Sequence, residues 1–243
     1  MIDKTKFKDE LKAVFKKNQL ESLLDERKCE LFFALTERML EENEKYNLTA
    51  IKEPSKIILN HYADCAVLAQ RLEKGVKMLD VGCGAGFPSL PVAILREDVK
   101  ITALDSTAKK VAYVNATAEL LGLTNITAVS MRAEEAALGA MRESFDTVTA
   151  RAVAAMRILS ELCLPFVKIG GSFIAMKGKN ADAELDEARG VIARLGGSSP
   201  TVEAISLSSE DESLSHPIIY VKKKTATPRE FPRQYAKILK NPL

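Results

Sequence analysis

The chain has 243 residues, 47% hydrophobic and 28% charged, with a formal net charge of +2. This is ordinary globular composition, long enough for one large α/β domain with an appendage or for two small domains. No apolar run approaches the roughly 18–20 residues a membrane span needs, and Met1-Ile2-Asp3-Lys4 opens a charged amphipathic segment, not a signal peptide.

The four cysteines, Cys29, Cys65, Cys83 and Cys163, are scattered and form no CxxC. Neither a zinc site nor a disulfide framework is suggested, which fits a reducing cytoplasm. The charge is uneven. Lys222–Leu243 carries seven Lys/Arg against one Glu, on a body that is net acidic. Such a tail fits a polyanionic partner as well as it fits a solvated, solubilising end.

In chain order, Phe7, Leu11, Val14 and Phe15 recur at helical spacing within 4–17, and Cys29 to Leu40 do so within 26–43. Pro54 suits the first turn of a further short helix, and Ile57–Leu72 continues helical with His61, Tyr62 and Asp64. Residues 1–72 therefore read as a helical N-terminal cap. From Val76 the pattern alternates. Strands are expected at Lys77–Val81, Val99–Leu104, Ile126–Ser130, Phe145–Ala150 and Ser172–Met176. Helices are expected at Leu90–Leu95, Ala108–Leu121, Ala133–Met141 and Met156–Val167, and the alternation predicts a parallel sheet covered on both faces. After Gly170-Gly171 comes a charged helix, Asp182–Leu195. Two late strands, about 201–207 and 217–223, flank the acidic Ser208–Ser215 loop and predict an antiparallel final pair.

The chemistry gathers around Asp80-Val81-Gly82-Cys83-Gly84-Ala85-Gly86-Phe87-Pro88. Three alternating glycines between a strand and a helix allow a ligand to lie against the main chain. A dinucleotide site would read GxGxxG; here the third glycine comes one position early and Phe87 stands in its place. Asp80 two residues before the first glycine resembles the S-adenosylmethionine loop of Rossmann-like methyltransferases. Asp105 ends the next strand, where a carboxylate can accept both ribose hydroxyls of a nucleoside. Alternatively Asp105, Ser106 and Thr107 cap the following helix. Arg132-Ala133-Glu134-Glu135 lies after the third strand, where a loop reaches the adenine, or where glutamates simply favour a helix start. Arg151 closes the fourth strand and brings a permanent cation to the crevice, or pairs with Asp80 or Glu134. Lys177 and Lys179 add positive charge past the fifth strand. Neither a Pro-Pro-aromatic signature nor a catalytic cysteine of a carbon methylase is present.

Asn47-Leu48-Thr49, His61-Tyr62-Ala63-Asp64, Leu79 through Pro88, Arg132 through Glu135, Thr149-Ala150-Arg151-Ala152-Val153, Lys177-Gly178 and the ending Phe231-Pro232-Arg233 through Asn241-Pro242-Leu243 together resemble a known family. It is the small-subunit ribosomal RNA N7-guanosine methyltransferases, also called glucose-inhibited division protein B. The resemblance covers nearly the whole chain; one departure is Cys65, where the family usually has Ser.

The resemblance implies an α/β Rossmann-like methyltransferase fold. Its expected parts are a mostly parallel seven-stranded sheet within a 73–224 core, the 1–72 cap and a basic 225–243 tail. It implies S-adenosylmethionine as cofactor, held by Gly82, Phe87, Ala133, Glu134 and Arg151. Asp80, Gly84, Gly86, Asp105, Ser106 and Thr107 complete the expected cofactor set. Arg151, Lys177, Asn47 and His61 are expected on the catalytic side, with His61 equally readable as a capping or core histidine. The expected partner is 16S ribosomal RNA or the small ribosomal subunit, met by a cytoplasmic monomer with no metal and no membrane. Two other readings stay open: a nicotinamide oxidoreductase, against which the early third glycine argues, and a non-catalytic RNA-binding module on the same fold.

Overall fold

A computed structural model describes residues 2–151, 153–178 and 181–243. Seven strands form one sheet: β1 (Lys77–Val81), β2 (Lys100–Asp105), β3 (Ile126–Ser130), β4 (Phe145–Arg151), β5 (Val167–Met176), β6 (Thr201–Ser208) and β7 (Ser213–Lys222), in the order β3-β2-β1-β4-β5-β7-β6. The first five are parallel neighbours, and β7 runs antiparallel to both β5 and β6. The expected sheet is thus the observed one. The strand order reverses between β1 and β4, the place where ligands of such sheets sit, beyond the carboxyl ends.

Alternation along the strands feeds two cores. Met78, Ile101, Ala103 and Ile174 face one, and Leu79, Leu104, Val148 and Phe173 face the other. The first core is closed by α1 (Lys4–Lys17), α2 (Glu26–Tyr46), α3 (Pro54–Ile57), α4 (Asp64–Arg71), α5 (Ser89–Leu95) and α6 (Ala108–Leu120). Phe7, Phe15 and Phe32 of the N-terminal helices share it with Leu90 and Val92 of α5, so the residues read as a cap are packed into the sheet's own interior. The second core is closed by α7 (Ala133–Ala136), α8 (Met156–Cys163) and α9 (Ala181–Arg194), together with Phe231 and Ile238 of the tail, where α10 (Tyr235–Lys240) lies.

Several boundaries differ from expectation. The helix expected from 57 to 72 is interrupted by a π-helical turn, Ile58–Ala63. Insertions of this kind re-aim side chains and recur at functional sites. α7 stops at Ala136, five residues short, because Leu138, Gly139 and Arg142 donate to carbonyls three residues back and tighten the chain into turns. α8 yields at Leu164–Phe166 to a 3-10 turn that contains Pro165, which cannot donate to a continuing helix. β5 begins at Val167, five residues before the expected start, and runs through Gly170-Gly171. β7 begins at Ser213, which shortens the acidic loop to Ser209–Glu212.

The basic tail is not a free polycation. Arg142 donates to the carbonyls of Phe231 (2.8 Å), Thr227 (2.7 Å) and Pro228 (3.2 Å). Arg157 donates to those of Leu243 (2.6 Å) and Pro242 (2.7 Å). Arg233 forks onto the fully buried Glu161 carboxylate at 2.6–3.2 Å. Lys223 is itself buried and bonds the Leu164 carbonyl (2.7 Å) and the Thr227 hydroxyl. Lys224, Arg229, Lys237 and Lys240 remain exposed.

Candidate active site

A cavity of about 550 Å³ opens at the carboxyl ends of β1, β2 and β4, within the range of small-molecule sites. Its floor is the turn after β1. Gly82 donates its amide to the Leu104 carbonyl (2.7 Å) with φ +77°. A Cβ there would stand 2.8 Å from a Val153 methyl, and one at Gly86 (φ +86°) would stand 2.5 Å from Leu90. The three glycines therefore serve differently. Gly82 and Gly84 line the cavity, whereas Gly86 lets α5 and α6 close beneath it.

Asp80 lies just under that floor, fully buried. One carboxylate oxygen accepts from the Ser89 hydroxyl (2.6 Å); the other has no partner. Burial raises its pKa to about 7, against the lowering effects of Ser89 and Arg151. A buried acceptor left unsatisfied costs roughly 1–3 kcal/mol, and Asp80 carries that cost behind the cavity surface. Asp105 accepts from the Gly84 amide (3.0 Å) and the Thr107 amide (2.8 Å), tying the glycine turn to the α6 entrance. The helix-capping residue proper is Thr107, whose side chain makes no capping bond. A carboxylate has about four acceptor sites, so two amides leave capacity facing the cavity that Asp105, Ser106 and Thr107 line.

The far wall is aromatic and cationic. His61 stacks on Phe87, centroids 4.5 Å apart, and the Arg151 guanidinium stands 5.3 Å from the same ring. Arg151 pairs with neither Asp80 nor Glu134. It donates to Asp64 (3.2 Å), to the Asn60 carbonyl (3.3 Å) that the π turn presents, and to His61 Nδ1 (3.2 Å). His61 Nδ1 also lies 3.1 Å from the Asn60 carbonyl, and Nε2 lies 3.1 Å from the Thr49 hydroxyl. Burial, then Arg151, lower the His61 pKa to about 4, which keeps the ring neutral. Asp64 in turn accepts from His216 of β7 (2.6 Å).

Gly82, Gly84, Phe87, Asp105, Ser106, Thr107, Ala133, Glu134, Arg151 and His61 thus converge on one cavity. Asp80 and Gly86 lie behind its surface. Asn47 ends α2 in the left-handed conformation and is exposed, outside the lining that its neighbours Leu48 and Thr49 join. Lys177 turns away: it donates to the Ala154 carbonyl (2.8 Å) and pairs with Glu184 (2.7 Å). Lys179 and Ala152 lie outside the described residues. Sequence reading missed Thr49, Lys110, Met131, Val153 and Tyr235 as lining residues, and His216 behind them. Thr49 and Val153 stand inside the quoted motifs; for Tyr235 and His216 no spacing gave a signal.

Solved structures share this fold. They include the SAM-dependent O-methyltransferase from Thermotoga maritima (TM-score 0.52, 15% identity, 78% of this chain and 72% of that one). Another is M. jannaschii TYW2 in complex with AdoMet (TM-score 0.53, 12% identity, 65% and 73%). The open glycine turn and the Asp105 carboxylate suit a nucleoside ligand. The class is that of Rossmann-like methyltransferases that take their methyl group from S-adenosylmethionine.

Residues 28–212 match the model of the GidB family, described as rRNA small subunit methyltransferase G. The chain is 42% identical over 222 residues to Ribosomal RNA small subunit methyltransferase G of Clostridium perfringens (strain 13 / Type A), covering 90% of this chain and 92% of that one. It is 43% identical over 223 residues to the protein of that name in Clostridium beijerinckii, with the same coverage. The Oceanobacillus iheyensis protein is 40% identical over 223 residues, with 90% and 93% covered. The chain belongs to the rRNA small subunit methyltransferase G family, and is an rRNA methyltransferase of the guanine-N7 kind. Among the described residues no group of His, Cys, Asp and Glu is placed to hold a metal ion, and no helix is long and apolar enough to cross a membrane.

Proposed function

We propose that the cavity over the glycine turn holds S-adenosylmethionine between Asp105, Glu134 and Arg151 while a guanosine of 16S ribosomal RNA enters beside His61 and Phe87. The convergence of Gly82, Asp105, Glu134 and Arg151 at the switch in strand order carries the reading. Asp105 would take the ribose hydroxyls. When bound, the cofactor supplies an electrophilic methyl group on a sulfonium.

Guanine N7 carries an in-plane lone pair and no proton. Transfer of that methyl to N7 would form the N–CH₃ bond as the C–S bond breaks with its electrons left on sulfur, so the products would be 7-methylguanosine and a thioether. No general base is needed, so positioning and electrostatics supply most of the acceleration. The guanine becomes cationic, and this chain's residues suit that. His61 is held neutral, and the charge of Arg151 is offset by Asp64. Phe87, which both His61 and Arg151 contact, adds apolar surface to the cavity wall. Residues 1–72 and the exposed tail cations are assigned to choosing the RNA acceptor around the 73–224 core.

Isothermal titration tests the cofactor part: saturable binding of S-adenosylmethionine is expected, and none at ~1 mM, a limit of about −4 kcal/mol, overturns it. Mass mapping of methylated nucleotides in 16S rRNA from cells with and without this chain tests the target. One 7-methylguanosine should disappear; an unchanged map removes the acceptor assignment.

A further inference from the structure

The tail enters the site itself. Tyr235, the first residue of α10, lines the cavity beside Met131, Arg132, Ala133 and Glu134, the residues that follow β3. The Arg132 guanidinium stands 5.9 Å from its ring centroid. The ring is only half-buried: it packs against the second core and also lines the cavity. Its position is fixed from both directions along the chain. Two residues before it, Arg233 locks onto Glu161 through both main chain and side chain (2.9 Å each for the amide and Nε). Three residues after it, Ile238 is fully buried. A chain end held this firmly presents one aromatic face at a constant place.

We propose that Tyr235 is the adenine-side wall of the cofactor cavity, which makes the C-terminal tail part of the cofactor site. This rests on the cavity being the cofactor's. The loop after β3 is where a nucleoside-binding sheet meets the base, and a flat aromatic ring with a guanidinium beside it is the chemistry that holds a purine. Stacking of a base on an aromatic side chain contributes enough that truncation to alanine costs about tenfold in affinity.

Titrating S-adenosylhomocysteine and adenosine into the full chain decides it. Tyr235→Ala is expected to weaken both ligands by about tenfold, and Tyr235→Phe to stay within about twofold of the unsubstituted chain. Glu230→Ala, exposed in the same tail, should bind as the unsubstituted chain does. Tyr235→Leu keeps most of the packing volume and removes the π face, so it separates stacking from folding. If it binds as tightly as the unsubstituted chain, Tyr235 only packs and the proposal falls. If the unsubstituted chain binds neither ligand, the cofactor reading of the cavity has failed, a different result from a tyrosine without effect.

Discussion

The Asp64 carboxylate is the residue on which the far wall turns, since it receives Arg151 on one oxygen and His216 on the other. Burial alone would lower the His216 pKa; the hydrogen bond and charge of Asp64 outweigh it and raise it. The two histidines therefore act in opposite directions on stability. The contribution of His216 is fully present below about pH 6.5, the ordinary imidazole value, and is lost as pH rises through its raised folded value. His61 takes its proton only in the unfolded chain between about pH 6.5 and 4, so stability is lost as pH falls across that window. Urea unfolding from pH 4 to 9 should show His216→Gln costing roughly 2 kcal/mol below pH 6, as for a charge-assisted hydrogen bond, with the difference shrinking toward pH 9. A pH-independent difference would remove the charge from this account. None of this ladder was legible in the sequence. Asp64 and His216 are 152 positions apart, and nothing in either neighbourhood marks the pairing. Asp80, Gly82 and Asp105, by contrast, announce themselves, because a strand end, a turn needing positive φ and a nucleoside carboxylate fall at fixed spacings.

At the scale of elements, strand periodicity and glycine placement located β1, β3 and the turn between β1 and α5, since those signals are local. The π turn was invisible, because the same apolar spacing fits an α-helix and only the cost or gain of pointing His61 at Phe87 distinguishes them. The anchoring of the tail was hidden for a related reason. Its charge fitted a polyanionic partner as well as a solvated end, while the partners of Arg233 and Lys223 lie far back in the chain. Arg233→Ala should strip the fully buried Glu161 of its counter-charge. Removing one partner of a buried pair costs about 3–5 kcal/mol; with Arg233 partly exposed, about 3 kcal/mol is expected. Cofactor affinity should fall with it as Tyr235 loses its anchor. Thermal melts and titration on one preparation check both, and an unchanged melting temperature would show that α10 is held by Phe231 and Ile238 alone.

For the whole molecule, the surface charge left to RNA is smaller than the sequence suggests. Of the seven cations from Lys222 onward, Lys223 and Arg233 are used internally, while Lys222 reaches the Gly170 carbonyl at 3.2 Å. If Lys224, Arg229, Lys237 and Lys240 meet phosphates, changing all four to Gln should flatten the log–log salt slope of RNA affinity by roughly one for each phosphate no longer neutralised. Filter binding across a salt series measures that slope, and an unaltered one assigns RNA recognition to other surfaces. Deleting 225–243 would not give this answer, because it removes a cavity wall together with the charge.

The strand order bears on when the protein comes into being. β6 leaves the ribosome before β7, yet among the described residues β7 is its only strand partner and is also what attaches it to β5. Asp64, made early, waits for His216, and the cavity waits for Tyr235. Long-range pairings of this kind delay the final steps of folding. A nascent chain of this modifier of ribosomal RNA that still lacks Tyr235 already carries the glycine turn and the wall of His61, Phe87 and Arg151, but not the tail's contribution to the cavity.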